Sequence, residues 1–212
     1  MPASRTLCGP FAWLLGAAIS VLCCPAHAMT WELEPSEVST LVQRHQVVRE
    51  DTLETTRGHY VGGVTYLLIH ATPDAVAAVL DDVHTYRQIL PCTHSVRWIG
   101  LSRQGDMLVE LEQGNAFARG RYTLRVQRET QRGNASMFRF ALDNRFAHDI
   151  VDARGFFRLE PTEEGETLLT YVVLVDLGQG WFARLLQERI RHLALSAPIL
   201  VRNYVEQLDS RH

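Results

Sequence analysis

Six strand-like segments follow one another between residues 95 and 177, and only turn sequences separate them. Clusters of glycine, asparagine, aspartate and proline mark the breaks, as at residues 103–106 and 161–165. Sequential strands with short connections pair as an antiparallel meander. The predicted strands lie at 95–101, 107–113, 119–130, 136–143, 149–159 and 166–177.

One long amphipathic helix is predicted to close the chain, over residues 181–209. Its apolar residues recur at helical spacing on one broad face, and most of its arginines and glutamates lie outside that face. Pro198 lacks a backbone N–H, so we expect it to kink or interrupt this helix.

A strand and two short helices are predicted ahead of the meander. Residues 60–71 are rich in β-branched and aromatic types, and Gly62-Gly63 predicts a bend or a bulge. Thr72 can cap a helix with Pro73 in its first position, and a second short helix, about 83–90, ends at Pro91.

Together these elements predict an α+β fold, in which a curved antiparallel sheet of about seven strands surrounds the long C-terminal helix. Alternation assigns the faces: Tyr122, Leu124 and Val126 point one way, and the polar residues between them point the other. The last strand is apolar on both faces, which predicts a central position or one beneath the N-terminal extension.

The first 28 residues have the pattern of a signal peptide. An apolar core at residues 11–22 is followed by Ala26-His27-Ala28, a cleavage pattern ahead of Met29. A bilayer-spanning helix needs about 20 apolar residues. A retained membrane anchor and a lipidated Cys23 stay as alternatives. We expect a periplasmic or secreted bacterial protein, with an N-terminal extension at 29–56 and one domain at 57–212.

Charge and cysteine content exclude several classes of chemistry. All 21 basic residues are arginines, which excludes Schiff-base lysine chemistry and lysine-dependent phosphate loops. The net charge of −3 and the lack of a basic stripe argue against a nucleic-acid partner. Cleavage would leave Cys92 as the single cysteine, so no internal disulfide could form, and we expect its thiol to be buried and unreactive.

Three segments resemble the START-like, helix-grip (SRPBCC) superfamily, in particular its polyketide cyclase/lipid-transport group, which includes coenzyme-Q-binding proteins. They are Val79-x-x-Asp82-x-x-x-Tyr86-x-x-Ile89-Leu90-Pro91, residues 155–161, and Thr170-Tyr-Val. The resemblance covers about residues 58–209. It implies a helix-grip fold with a hydrophobic cavity, in a superfamily of carriers, cyclases and regulators.

The cavity wall would come from inward strand positions and from the apolar stripe of the long helix. Each of these residues could also be simple core, because apolar stripes usually just pack. The candidate ligand-binding residues are Tyr86, Leu90, Trp98, Tyr122, Phe138, Phe140, Phe157, Tyr171, Leu186, Ile190, Leu193 and Ala197.

The favoured function is an exported binding protein for a hydrophobic small molecule or lipid, with no cofactor, no metal motif and no assigned catalytic residue. Transient membrane contact is compatible with it, and the oligomeric state stays open. One alternative is a cyclase or dehydratase, in which Tyr122, Tyr171, Arg119 and Asp176 could polarise a carbonyl. Another is a non-catalytic envelope interaction module that uses residues 31–56 and predicts a filled core.

Overall fold

The computed structural model describes residues 32–55, 58–115, 119–130, 135–178 and 181–210, and only the backbone of 181–186. The predicted signal peptide lies outside these residues. The helices are α1 (Pro35–Arg44), α2 (Pro73–Asp81), α3 (Tyr86–Ile89), α4 (Trp181–Leu195) and α5 (Ala197–Asp209), with a 3₁₀ turn at Val83–Thr85. The strands are β1 (Gln46–Thr55), β2 (Gly58–Ile69), β3 (Thr93–Leu101), β4 (Met107–Gly114), β5 (Arg119–Thr130), β6 (Ser136–Leu142), β7 (Asp152–Pro161) and β8 (Thr167–Asp176).

All eight strands form one antiparallel sheet in the order β1-β2-β8-β7-β6-β5-β4-β3. The predicted meander from β3 to β8 is confirmed, and the apolar strand β8 lies inside the sheet, between β2 and β7. The sheet has one strand more than predicted, because β1 from the N-terminal extension pairs with β2 along its whole length. The predicted boundary between extension and domain, at residues 56–57, lies between these two strands and outside the described residues.

Gly62 and Gly63 let β2 approach both of its neighbours closely. A Cβ on Gly62 would lie 1.8 Å from the carbonyl oxygen of Val173, and Gly63 has a φ of 150°, a value that favours glycine. The register stays continuous on both sides of β2, so these glycines allow close approach without a bulge.

The polar residues of the 72–86 segment define its helix ends. Thr72 Oγ1 accepts from the Ala75 N–H at 3.3 Å and caps α2, while Asp82 Oδ1 accepts from the His84 N–H at 2.9 Å and caps the 3₁₀ turn. The Tyr86 hydroxyl donates to the Leu80 carbonyl at 2.8 Å, which ties α3 to the end of α2. Asp82 and Tyr86, two key residues of the family-like motif, therefore hold the local fold together.

The two faces of the sheet have separate apolar cores. Helix α1 covers one face, where Leu41 packs over Tyr66 and Val172, and we call this the convex face. The opposite, concave face carries the larger core, beneath α2, α3 and α5. Leu67, Leu159 and Leu169, each 0% exposed, form one row across β2, β8 and β7. We call this row and its helical cover the closed end of the concave face.

The C-terminal helix breaks once, and the predicted interruption at Pro198 is confirmed. Pro198 has no N–H to donate, and the Ile199 N–H bonds to the Ser196 carbonyl at 3.1 Å. The Leu195 carbonyl accepts instead from Thr65 Oγ1 at 3.1 Å, in a fully buried position. A side chain of β2 therefore supplies the hydrogen-bond donor that the helix lacks at its bend. This contact fixes the junction of α4 and α5 over the sheet.

Candidate functional site

A cavity of about 520 Å³ lies between the concave face and the helices α2–α5. Strands β4–β8 form its floor and α4 with the start of α5 forms its roof. We call this part of the concave face the cavity end. Its volume falls within the range of roughly 300–1,000 Å³ that is typical of pockets enclosing a drug-sized molecule.

Ten of the twelve predicted ligand-binding residues line this cavity: Tyr86, Leu90, Tyr122, Phe138, Phe140, Phe157, Tyr171, Ile190, Leu193 and Ala197. Whether they bind a ligand stays a prediction. Trp98 does not line it, contrary to expectation. It lies on the edge strand β3, is 61% exposed, and its indole N–H donates to the Gly100 carbonyl of the same strand. The Leu186 side chain lies outside the described residues.

Three aromatic rings form the middle of the cavity floor. The ring centroids of Phe157 and Tyr171 are 4.4 Å apart, and Phe140 lies 5.9 Å from Phe157 and 6.1 Å from Tyr171. Rings at these distances stabilise one another. Their packing gives the cavity a rigid apolar floor.

Small residues on the floor leave room above it. Gly155 lies on the same face of β7 as the lining residues Ala153 and Phe157, and a Cβ there would lie 2.5 Å from Cζ of Phe140, so the missing side chain accommodates that ring. Ala153 and Gly120 also line the cavity. The closed-end position Leu159 on the same strand carries a large side chain instead, and it is 0% exposed.

A hydrogen-bonded network of polar side chains lies at one wall. The Tyr122 hydroxyl donates to Gln113 Oε1, and Gln113 Nε2 donates to the Pro91 carbonyl at 3.0 Å and to Thr93 Oγ1 at 2.9 Å. This network joins β4 and β5 to the turn after α3. Both amide protons of Gln113 are therefore used within the protein.

Burial raises the pKa values of the three cavity tyrosines, Tyr86, Tyr122 and Tyr171, above that of an exposed phenol. The effect on Tyr171 is enhanced by the nearby phenol of Tyr122. All three phenols are consequently neutral over the physiological pH range. They can donate or accept hydrogen bonds but are poor general bases.

Charged residues lie only at the rim of the described cavity lining. They are Arg119, Asp149 and Arg189, and all three are exposed. Cys92 also lies at the rim, so the expectation of a buried thiol is wrong. Its backbone adopts a left-handed conformation with φ of 54°, and its carbonyl accepts from the Gly114 N–H at 3.0 Å, which turns the side chain outward.

The four residues proposed for carbonyl polarisation do not converge. Tyr122 and Tyr171 line the cavity, and Arg119 lies at the rim. Asp176 is buried away from the cavity lining and accepts from the Gly178 N–H at 2.8 Å. Tyr60 lies opposite Asp176 across the β2–β8 ladder, which places both on the convex face.

One group of possible metal ligands occurs among the described residues: Glu50, Glu188 and His192. All three are exposed, and Arg191 already pairs with Glu50 at 3.4 Å and with Glu188 at 3.2 Å. A guanidinium between the carboxylates offsets the negative charge that a cation would need.

The sequence-based prediction missed several wall residues. Val173 and Val175 follow Tyr171 at two-residue spacing and share its face of β8, so the two-residue period could have identified both. Gln113 follows Leu111 on the cavity face of β4 by the same rule, but its polar type argued against an inward position. The Gln113 network required the three-dimensional arrangement.

Solved structures provide the comparisons, because no family model and no curated protein sequence matches this chain. A STAR-related lipid transfer protein from Xanthomonas axonopodis is 13% identical, with a TM-score of 0.62 covering 76% of this chain and 99% of that chain. Human StAR-related lipid transfer protein 5 is 8% identical, with a TM-score of 0.58 covering 82% and 95%. The Zhui aromatase/cyclase from Streptomyces sp. R1128 is 17% identical, with a TM-score of 0.52 covering 79% and 95%.

These likenesses and the sheet topology define the architecture: the chain has the START-like helix-grip fold. The fold expected from the three sequence segments is thereby confirmed. Proteins of different functions share this fold, so function must be inferred from the cavity itself.

Proposed function

We propose that this protein binds a hydrophobic small molecule or lipid in the cavity end of the concave face. The observation that carries the proposal is the partly open cavity of about 520 Å³, whose described wall is largely apolar and whose described charged residues are exposed at the rim. Burying about ten methylene groups there would contribute roughly 8 kcal/mol before the costs of binding. Such binding needs no polar motif.

The ligand would enter beside α4. Helix α4 contacts β2 and β8 and is held by Thr65 at the Leu195 carbonyl and by exposed pairs such as Arg191 with Glu50, whereas α5 also packs on α2 and α3. Movement of α4 about the Ser196 break, together with the two short helices, would open the mouth. The solved lipid transfer proteins with this fold support a role as a carrier.

The test is to fill the cavity without disturbing the rest of the fold. Val175→Phe places a ring in the cavity wall, and Val48→Phe makes the same change at a partly exposed position on β1, outside the lining. Binding of the fluorescent apolar probe N-phenyl-1-naphthylamine would be measured with delipidated protein, alongside native mass spectrometry of the protein as purified.

The wild type and Val48→Phe should bind the probe, and Val175→Phe should bind it at least tenfold more weakly. A wild type that neither binds the probe nor copurifies with a small molecule would contradict the proposed function. Equal binding by the two variants would show that the probe lies elsewhere.

Export is a further part of this proposal and rests on the sequence. The apolar core at 11–22 and the Ala26-His27-Ala28 pattern support a cleaved signal peptide and a periplasmic or secreted location. Within the described residues, no helix is both long and apolar enough to cross a bilayer. The intact mass of the protein from cell fractions tests this. A chain that starts at Met29 in the periplasm or medium is expected, and a full-length chain in the membrane fraction would contradict it.

A cyclase or dehydratase is the second candidate, because two tyrosines, Tyr122 and Tyr171, line the cavity. Phenol hydroxyls can polarise a carbonyl, and the Zhui aromatase/cyclase shares the fold. This candidate predicts turnover of a polyketide-like substrate that Tyr122→Phe or Arg119→Ala abolishes. The remaining alternative, a non-catalytic envelope interaction module, predicts a filled core, and the cavity of about 520 Å³ argues against it.

A further inference from the structure

Three tyrosines belong to the cavity lining, and their hydroxyls differ in their hydrogen-bond partners. Tyr86 donates to the Leu80 carbonyl, and Tyr122 donates to Gln113. Tyr171 makes no hydrogen bond to any part of the chain that the structure describes, although only 5% of its surface is exposed. The hydroxyl is not one of the fully enclosed unpaired atoms of the described residues, so it can be reached from the cavity and can bond to a molecule there.

The surroundings of Tyr171 limit the kind of partner. The rings of Phe140 and Phe157 pack against it, and Val173 follows on the same strand face. The charged residues of the described lining are all exposed, so none of the described side chains places a cation deep in the cavity to neutralise an anion there. A neutral oxygen can accept a hydrogen bond here without that electrostatic cost.

We propose that the Tyr171 hydroxyl donates a hydrogen bond to an uncharged oxygen of the bound hydrophobic molecule. The ligand class is therefore a neutral oxygenated amphiphile, a long-chain or polycyclic ketone or alcohol, held with its oxygen inside the cavity. Hydrocarbons would leave the hydroxyl unpaired, and fatty-acid anions would place their charge at the rim. This inference rests on the proposed function, because it requires that the cavity be occupied.

The experiment compares two probes of nearly the same shape, 2-undecanone and 2-methyl-1-undecene, in which a methylene replaces the carbonyl oxygen. Each would compete with N-phenyl-1-naphthylamine on wild-type protein, Tyr171→Phe and Tyr60→Phe. The Tyr60→Phe variant is the matched control, since Tyr60 is equally buried but lies outside the cavity lining, with its hydroxyl bonded to Asp152 Oδ2 at 2.8 Å. Undecanoate is a third competitor, which reports on an anion held at the rim.

Tyr171→Phe should lower the affinity for 2-undecanone by about three- to tenfold, the effect of one net hydrogen bond. It should leave the binding of 2-methyl-1-undecene unchanged, and Tyr60→Phe should not change the ratio of the two affinities. Equal weakening of both probes, or no weakening of either, would overturn the assignment. So would undecanoate binding that exceeds 2-undecanone binding and is insensitive to Tyr171→Phe.

Two further readouts keep the test decisive. If Tyr171→Phe does not fold, the wild type alone gives the answer: 2-undecanone must bind more tightly than 2-methyl-1-undecene after correction for their partition into octanol. Failure of the proposed function looks different, because the fluorescent probe itself would then not bind to the wild type. Probe binding without preference for the ketone would reject only the assignment of Tyr171.

Discussion

The closed end and the cavity end of the concave face are built on the same strands but meet their helical cover differently. At the closed end, Leu67, Leu159 and Leu169 are fully buried under α2 and α5. At the cavity end, β7 carries Ala153 in the cavity lining and Gly155 against the ring of Phe140, and α4 lies above a space of about 520 Å³.

Two things create this difference. Large aliphatic side chains fill the gap between sheet and helix at the closed end, whereas small residues and stacked aromatic rings leave it open at the cavity end. The cover also differs, because α5 packs on α2 and α3 as well as on the sheet, while α4 lies mainly on β2 and β8. Close packing and open space thus lie in separate parts of one sheet.

Truncating a leucine should cost most at the closed end. Leu169→Ala should lower the free energy of unfolding by about 3–5 kcal/mol, because it leaves a hole in close packing. Leu193→Ala, in the half-buried cavity roof, should cost about 1 kcal/mol or less, because the side chain already faces a space. Urea unfolding measures both. Equal losses would mean that the two ends are packed alike.

Alkaline pH should expose the buried phenols of Tyr86, Tyr122 and Tyr171. Burial raises the pKa of each above the value of about 10 in the unfolded chain, so the folded state holds these protons more tightly. Their contribution to stability is complete below about pH 10 and is lost above it. The expected loss is up to about 1.4 kcal/mol per tyrosine and pH unit, or about 4 for all three.

Urea unfolding at about pH 9, 10 and 11, with the tyrosinate absorbance as a second signal, measures this loss. The three tyrosines contribute to the slope of the free energy of unfolding against pH, and Tyr171→Phe should reduce that contribution by about a third. Tyrosinate absorbance that rises before unfolding would show that the phenols reach solvent in the folded protein.

Replacing a valine by phenylalanine should lower the free energy of unfolding at the closed end and change it little at the cavity end. Val201→Phe, on α5 at a position with 0% exposure, should destabilise the protein by about 1–3 kcal/mol through overpacking. Val175→Phe enters the cavity and should change the free energy of unfolding by less than about 1 kcal/mol. Thermal and urea unfolding of the two variants give the comparison, and a severe loss for Val175→Phe would contradict an open cavity.

The smallest effect concerns the anchor of α4. Thr65→Val removes the donor to the Leu195 carbonyl and should cost about 1–2 kcal/mol, because that carbonyl stays buried. Thr167→Val is the control, since it breaks a bond of 2.6 Å to the Ala71 carbonyl at the closed end. Only Thr65→Val should speed hydrogen exchange in α4. Unchanged exchange there would argue against Thr65 as the anchor.

Local patterns predicted most of the fold. The turn clusters placed the strands from β3 to β8 within a few residues of their observed bounds, because turn residues and the two-residue alternation act over short distances. Thr72 and Pro73 located the start of α2, and Pro198 located the break between α4 and α5. Strand β1 was harder to place in the sheet, since its sequence is largely polar and its pairing depends on β2.

For the candidate site, the sequence predicted which residues line the cavity better than how they are arranged in space. Alternation and helical spacing identified ten residues of the cavity wall, but they could not show that Trp98 lies on an exposed edge strand. Gln113 escaped notice because its inward position depends on partners in the turn at residues 91–93 and on Tyr122.

The amino-acid sequence by itself determined which elements form and which of their faces are apolar, since propensity, capping and periodicity are properties of neighbouring residues. Only the tertiary structure decided that one end of the concave face closes and the other encloses a cavity. That outcome depends on the distance between α4 and the sheet and on which side chains meet across it. It also decided that Tyr171, among the three cavity tyrosines, is the one left without a partner in the described chain.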